Sequence, residues 1–127
     1  MCNIFVGADP TLWGNKAKSV RIDGFVTSIR MENAFWIALE EIAYRDQMTV
    51  NQLIQTLYNE SVEAGHDMTN FTSFLRVCAL RYHSLIAVGE VSPDPDVPIY
   101  NGEASDILAR EATRRLESEL ARVGRAS

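Results

Sequence analysis

The sequence predicts a mainly α-helical fold that begins with a short β-hairpin, and three observations support this class. Apolar and polar residues alternate from Lys18 to Met31, which is the period of a strand with one covered face. After Asn33 the apolar residues recur every three or four positions, as they do in an amphipathic helix. Polar breaks at residues 45–49 and 63–70 divide the chain that follows into further helices.

Length and composition limit the protein to one small domain with an appendage. The chain has 127 residues, of which 46% are hydrophobic, so it can bury a core but cannot form two ordinary domains. Its two cysteines are too few for the disulfide framework of a small secreted domain. No apolar run is long enough to span a bilayer, and the N-terminus lacks the pattern of a signal peptide. We therefore expect a cytoplasmic protein that does not enter a membrane.

Charge is distributed unevenly along this acidic chain, whose formal net charge is -5. Residues 1–31 carry four basic and two acidic side chains, whereas residues 32–96 carry three basic and ten acidic ones. Nucleic-acid binding is driven by basic side chains that displace counterions from phosphates. The alternating segment is therefore the candidate for contact with nucleic acid.

The dipeptide Asp23-Gly24 predicts the turn of the hairpin, because a two-residue type I′ turn needs positive φ at both central positions. Directly paired residues share a face of the sheet, so this turn sorts the side chains onto two faces. One face is mostly apolar and the other is mostly polar and basic. The first holds Val20, Ile22, Phe25, Thr27, Ile29 and Met31, and the second holds Ser19, Arg21, Val26, Ser28 and Arg30.

Capping signals place the helices. Asn33 is the predicted N-cap of helix 1, Thr49 and Gln52 form a capping box that opens helix 2, and Gly65 ends helix 2. The third helix, over residues 71–88, is apolar around most of its circumference, so we expect it to be buried, partly against another subunit. The inner stripes of the first two helices are expected to hold Phe35, Trp36, Leu39, Ile42 and Ala43, and Val50, Leu53, Ile54, Leu57 and Tyr58.

The C-terminal part predicts a linker followed by an amphipathic helix. Three prolines indicate an extended linker over residues 90–103, and residues 104–127 carry an apolar stripe at helical spacing. The predicted organisation is an N-terminal arm (1–18), a domain (19–89), this linker and this helix. We expect few contacts to cross the linker, so that residues 90–127 are separable from the domain.

A strand that runs into a helix, a short break and a second capped helix is the order of ribbon-helix-helix proteins, and residues 27–58 resemble that family. The sequence TSIRMENAFWIALEEIAYRDQMTVNQLIQTLY contains the short strand, the triplet Leu39, Ile42 and Ala43, the Met48-Thr49 break and the NQLI start of helix 2. The wider block over residues 19–82 resembles a bacterial subgroup with an added hairpin strand and a third helix. The resemblance therefore implies a β-β-α-α-α ribbon-helix-helix fold.

The resemblance also implies a function, that of a dimeric sequence-specific transcriptional regulator. In this family an intertwined homodimer inserts a β-ribbon, with one strand from each chain, into the major groove of double-stranded DNA. The implied DNA-binding residues are Lys18, Ser19, Arg21, Val26, Ser28 and Arg30, and the implied phosphate-binding residues at the start of helix 2 are Thr49, Val50 and Asn51. The added strand either widens the DNA face or blocks it. Gln47 stands where a glycine often ends helix 1 in the family.

No constellation in the sequence predicts catalysis, a cofactor or a metal. Cys78 and His83 are five positions apart and lie on different faces of a helix, and no nucleophile, base and orienting group occur together. The alternative to a DNA-binding regulator is a protein-interaction module, antitoxin-like or a scaffold. In that hypothesis the ribbon mainly dimerises and the C-terminal helix binds a partner protein. A homodimer is expected in both cases, and higher assembly is left open.

Overall fold

The chain folds into a β-hairpin followed by helices, as a computed structural model shows for residues 2–99 and 103–126. The elements are a 3-10 turn (Pro10–Trp13), strands β1 (Asn15–Ile22) and β2 (Phe25–Glu32), and helices α1 (Asn33–Arg45), α2 (Val50–Glu63), α3 (Phe71–Ala87) and α4 (Ala104–Ala126). This order confirms the predicted fold class, although β1 begins at Asn15 rather than at Ser19. Residue 1 of the predicted arm, residues 100–102 of the predicted linker and residue 127 of the predicted terminal helix lie outside the described residues.

The hairpin forms with the predicted turn and the predicted register. Asp23 and Gly24 both have positive φ, at 53° and 84°. The strands are antiparallel, and Ile22 pairs with Phe25 as a two-residue turn requires. A glycine at the second turn position adopts this conformation without the steric cost that a β-carbon brings.

The apolar face of the hairpin is covered over part of its length only. Val20, Ile29 and Met31 are buried, with at most 3% of their surface exposed. Phe25, next to the turn, is 76% exposed although it belongs to the same face. A cavity of about 350 Å³ lies under this end of the hairpin, bounded on its other side by Tyr58, Met68, Thr69, Phe71 and Thr72. The helices of one chain therefore leave the hairpin tip without a complete apolar contact.

The start of α1 differs from the prediction by one residue. Glu32 is the N-cap and its side chain makes no capping bond, while Asn33 is the first helical residue. The Asn33 backbone N–H donates to the Gly14 carbonyl at 2.8 Å, and its side-chain amide donates to the Thr11 carbonyl, also at 2.8 Å. The predicted cap is wrong because β2 runs directly into the helix, so Asn33 binds the preceding 3-10 turn instead.

The end of α1 is a Schellman motif centred on a residue other than glycine. Gln47 has a φ of 57°, its N–H donates to the Tyr44 carbonyl at 3.1 Å, and the Met48 N–H donates to the Ala43 carbonyl at 2.8 Å. Helices α2 and α3 end in the same way with Gly65 and Gly89 at the left-handed position. The predicted stop at Gly65 is thereby confirmed.

The core lies between the inner face of the hairpin and α1, α2 and α3. Leu39, Ile54 and Leu75 come from the three helices and have no exposed surface. Trp36 is 2% exposed, and its indole N–H donates to the Lys16 carbonyl at 2.8 Å, so α1 is fixed to β1 by a polar contact as well. The predicted capping box of α2 is present, because the Thr49 hydroxyl accepts from the Gln52 N–H and the Gln52 side chain accepts from the Thr49 N–H.

The first half of the linker packs against the domain, which contradicts the expectation of few contacts across it. Val91 is 3% exposed, Tyr44 donates to Asp96 at 2.8 Å, and the Arg45 Nε donates to the Val97 carbonyl at 2.9 Å. Arg45 itself is 4% exposed. A buried guanidinium needs acceptors for its N–H groups, and the extended linker supplies one of them.

Candidate nucleic-acid interface

The outer face of the hairpin collects most of the predicted DNA-binding residues on one exposed surface, here called the DNA face: Ser19, Arg21, Val26, Ser28 and Arg30. Ser19 pairs with Ser28 and Arg21 pairs with Val26, so the two strands contribute side by side. All five side chains are exposed, and Val26 retains 65% of its accessible surface. An exposed valine between polar residues contributes nothing to the core of this chain, which leaves it free for contact with a ligand.

Two guanidinium groups dominate the charge of the DNA face. Within residues 2–99 and 103–126, neither Arg21 nor Arg30 has an ion pair or a hydrogen-bonded side-chain partner. Their positions along the ladder are four residues apart, which corresponds to about 13 Å along the strands. Unpaired arginines on a flat polar surface can form bidentate hydrogen bonds to phosphate or to guanine.

Lys18 lies on the opposite face from the other predicted strand residues. It pairs with Ile29, its Nζ is 2.6 Å from a Glu40 carboxylate oxygen, and the same ammonium lies 5.0 Å from the centre of the Trp36 ring. Lys18 therefore lies apart from the DNA face, and its contact with DNA stays a prediction. The alternation contained the signal, because Lys18 is an even number of positions from Val20.

β2 has one strand neighbour and one open edge. In the described part of the chain the sheet has two strands, β1 and β2, so only one edge of β2 is hydrogen-bonded. The open edge runs directly beside Val26, Ser28 and Arg30. Such an edge exposes unpaired backbone N–H and C=O groups and is a template for pairing with a further strand.

The N-terminus of α2 offers two free backbone donors rather than three. The Thr49 N–H is occupied by the Gln52 side chain, at 2.9 Å. Val50 and Asn51 follow as the first helical residues, and no described group accepts from their N–H groups. A helix N-terminus with free N–H groups favours an anion such as phosphate.

Comparison with known protein families identifies the fold family of this chain. The model of the ribbon-helix-helix domain matches residues 15–83. The chain belongs to the ribbon-helix-helix family. Proteins of this family are in general dimeric DNA-binding regulators and are typically not enzymes.

A solved structure resembles most of the chain rather than the ribbon-helix-helix motif alone. The chain is similar to an uncharacterized protein from Bordetella pertussis Tohama I, with 48% sequence identity and a TM-score of 0.80. The likeness covers 85% of this chain and 86% of that one. Comparison with curated proteins gives no match.

An ion pair that the sequence did not reveal connects the ribbon-helix-helix core to its third helix. Arg76 of α3 makes two hydrogen bonds to the Glu32 carboxylate, at 2.8 and 3.1 Å, and its guanidinium lies 6.0 Å from the Phe35 ring. The hydrogen bonds from Arg76 lower the pKa of Glu32 below its ordinary value. This contact holds α3 against the junction of β2 and α1, where the DNA face ends. The partners are 44 residues apart, and no local pattern marks them.

Two features of other kinds of site are absent from the part of the chain that the structure covers. No three His, Cys, Asp or Glu side chains among the described residues are grouped closely enough to hold a metal ion. None of the described helices combines the length and the apolar character needed to cross a bilayer.

Proposed function

We propose that this protein is a cytoplasmic, sequence-specific DNA-binding transcriptional regulator that acts as a homodimer. The observation that carries the proposal is the DNA face, where two unpaired arginines stand beside the open edge of β2. A surface of this kind has no structural task within the chain. It supplies the cationic and hydrogen-bonding groups that a DNA groove requires.

The open edge of β2 supports a dimer in which this strand pairs with β2 of a second chain. A lone two-stranded hairpin is marginally stable in water, and the exposed Phe25 above its cavity shows that one chain covers the tip incompletely. Antiparallel pairing at the open edge builds a ribbon of two central strands. Each chain then contributes Val26, Ser28 and Arg30 to the middle of one continuous surface.

The added strand gives the DNA face an inner and an outer part. The major groove is about 12 Å wide and admits a two-stranded ribbon. A sheet ordered β1-β2-β2-β1 measures about 14 Å between its outermost strand axes, because strands lie about 4.8 Å apart. The central strands therefore enter the groove, and the two β1 strands lie at its walls. Arg30 and Ser28 face bases, whereas Arg21 and Ser19 face phosphates.

The two free N–H groups at the start of α2 add a second phosphate contact in this proposal. Val50 and Asn51 donate from the backbone, and the Thr49 hydroxyl can donate as well. Contacts of this kind orient a protein on DNA and do not depend on the base sequence. They are needed here because the body of the protein is acidic and cannot bind DNA through its general charge.

Binding to selected and scrambled duplexes tests the proposal. A preferred sequence is first enriched from a random pool with the full-length protein, and affinity is then measured by fluorescence anisotropy at several salt concentrations. We expect Arg30→Ala to lose about 1–3 kcal/mol per half-site on the preferred duplex and little on the scrambled one. Arg21→Ala should weaken binding to both duplexes alike and reduce the salt dependence.

Arg125→Ala is the matched control, because it removes the same charge from the far end of α4 and leaves the hairpin intact. It should leave the preference between the duplexes unchanged. If no sequence is enriched from the pool, the regulator proposal is wrong.

The second candidate is a protein-interaction module, and one observation favours it. Helix α4 exposes an apolar stripe, here called the α4 stripe, that consists of Leu108, Ala112, Leu116, Leu120 and Val123. An exposed apolar surface of this length is typical of a protein-binding helix. This candidate predicts that Arg30→Ala changes no measurable binding property, so the experiment above separates the two.

A further inference from the structure

Because β2 pairs with a copy of itself in the proposed dimer, twofold symmetry restricts the register of the ribbon, and this inference rests on that proposal. Under a twofold axis the numbers of every two paired residues add up to one constant. Directly paired residues share a face of the sheet, and the outer face of β2 holds the even-numbered residues Val26, Ser28 and Arg30. The constant is therefore even, and the axis passes through a residue rather than between two residues.

Two such registers pair most of β2, and the hairpin tip distinguishes them. With Ile29 on the axis, residues 26–32 are paired and Phe25 lies opposite Asn33, which is already helical. With Ser28 on the axis, residues 25–31 are paired and Phe25 lies opposite the partner's Met31 on the inner face. Phe25 is 76% exposed in one chain, whereas Met31 has no exposed surface. The second register therefore extends the covered apolar surface to the tip.

We infer that Ser28 lies on the twofold axis, so that each half of the DNA face is assembled from both chains. On either side of the axis, Val26 lies between Arg21 of its own chain and the partner's Arg30, because Arg21 and Val26 are paired in the hairpin. The fourth strand adds the partner's Ala17, which is paired with Arg30. These four residues are here called an arginine row. The axis is crossed by the neutral side chains of Ser19 and Ser28 from both chains.

The dimensions of an arginine row suit one half of a DNA site. Arg21 and the partner's Arg30 are two strands apart, which is about 10 Å across the sheet. The major groove is about 12 Å wide, so one guanidinium can bind a phosphate at the wall while the other binds a guanine. Salt screens the repulsion between exposed charges at this distance. A phosphate contact from one chain therefore supports a base contact from its partner.

This arrangement specifies the kind of duplex that the protein selects. The two arginine rows are related by the axis, so the site is a palindrome with one guanine in each half for Arg30. Val26 is the direct neighbour of the partner's Arg30 and contacts a thymine methyl within one base pair of that guanine. The centre of the site faces serine hydroxyls, which can reach either kind of base. Substitutions at the centre should therefore be tolerated.

Three variants of the full-length protein test the register: Val26→Cys, Ser28→Cys and Arg30→Cys, each with Cys2→Ser. All three positions are exposed on the same strand, so each variant is a control for the others. In the inferred register only position 28 lies directly opposite its own copy, at a Cα separation of about 4.5–5.5 Å that suits a disulfide. The copies of positions 26 and 30 are about 14 Å apart.

Under mild oxidation without DNA, we expect Ser28→Cys to form a disulfide-linked dimer on a non-reducing gel and the other two variants to remain unlinked. Cys78 is present in all three, and burial raises the pKa of its thiol, which keeps it in the unreactive protonated form. Preferred linkage at position 26 or 30, or no linkage at any of the three, would overturn the register. Because no DNA is present, this result is independent of the regulator proposal.

Mixed dimers test whether each half is assembled from both chains. The first dimer carries Arg21→Ala on one chain and Arg30→Ala on the other, and the second carries both changes on one chain. In the inferred register the first keeps one complete arginine row and the second keeps none. Binding is measured on a short duplex that contains one half of the preferred site.

The first mixed dimer should bind this short duplex about twofold more weakly than the wild type, which has two equivalent rows. The second should bind about tenfold more weakly than the first, because its Arg30 lacks the neighbouring phosphate contact. Equal binding of the two mixed dimers, or tighter binding of the second, would show that each half-site is contacted by a single chain and would overturn the inference.

Discussion

Gln47, at the end of α1, has a positive φ that is uncommon for a residue other than glycine. The Schellman motif requires a left-handed residue there, and α2 and α3 use glycine at the equivalent position. A left-handed conformation costs an ordinary residue about 1–2 kcal/mol, and the hydrogen bonds of the motif and the packing of the following Met48 offset that cost. The unusual residue is therefore maintained by its surroundings.

Gln47→Gly is expected to stabilise the protein. Glycine removes the steric cost of positive φ but loses more entropy on folding, so the net gain should be about 0.5–1 kcal/mol. Chemical denaturation of both proteins measures this difference. Gln55→Gly, at an exposed interior position of α2, is the control and should destabilise by a similar amount. A loss of stability in Gln47→Gly would show that the Gln47 side chain makes a contact that outweighs its backbone cost.

Individual side chains also show how far capping and turn motifs can be predicted from neighbouring residues. The Thr49 capping box and the Asp23-Gly24 turn are predicted from residues at most three positions apart, and both are present. Asn33 is predicted as an N-cap and instead binds the carbonyl of Thr11, 22 residues earlier. The Asn33 side chain does hydrogen-bond to the backbone, as the cap pattern predicts. Its partner is the Thr11 carbonyl and not a backbone group of its own helix.

Ion pairs hold helix α4 against the end of α3. Hydrogen bonds from Arg110 lower the pKa of Glu90, and hydrogen bonds from Arg81 lower the pKa of Glu111. A group whose folded pKa is lowered stabilises the folded form above its unfolded pKa. That stabilisation disappears as the pH falls through the lowered value.

We therefore expect α4 to detach at acidic pH, below the ordinary glutamate value of 4.5. Carbon-13 shifts of the Glu90 and Glu111 carboxyl groups, followed through the acidic range, measure both titrations directly. In an Arg110→Ala, Arg114→Ala double variant the pKa of Glu90 should rise toward its ordinary value. If the variant titrates like the wild type, the ion pairs do not form in solution.

The linker is the second element whose role the structure changes. A chain that ends at Gly89 loses the buried Val91 and the Val97 carbonyl that accepts from Arg45. Loss of one buried valine and exposure of one buried donor should cost on the order of 2–4 kcal/mol. This chain is therefore expected to melt below the full-length protein. A chain that ends at Ile99 keeps these contacts and is the control, and equal melting of the two shortened chains would restore the expectation of a free linker.

At the scale of the whole molecule, the described part of one chain leaves two regions of the hairpin incomplete. They are the tip with its exposed Phe25 and the open edge of β2. Dimerisation, which is general among ribbon-helix-helix proteins, accounts for both.

An obligate dimer is the corresponding prediction. Sedimentation at decreasing concentration should show unfolding coupled to dissociation, because only a second chain completes the hairpin tip and the open edge of β2. Ile29→Glu, on the inner face of β2, should abolish folding, whereas Thr27→Glu, on the same face but exposed, should mainly weaken the dimer. A stable folded monomer at micromolar concentration would contradict the proposed ribbon.

The sequence by itself determined the elements and the faces of the hairpin, while the tertiary structure decided which charges are free. The register follows from Asp23-Gly24, and both ends of α2 follow from caps within a single turn of chain, because backbone hydrogen bonds of this kind connect near neighbours. The partners of Lys18, Arg76 and Arg45 are 22, 44 and 52 residues away, and no periodicity records them. Whether a basic side chain is paired or available to DNA depends on how the helices pack, and that packing left Arg21 and Arg30 open while it gave the other three hydrogen-bond partners.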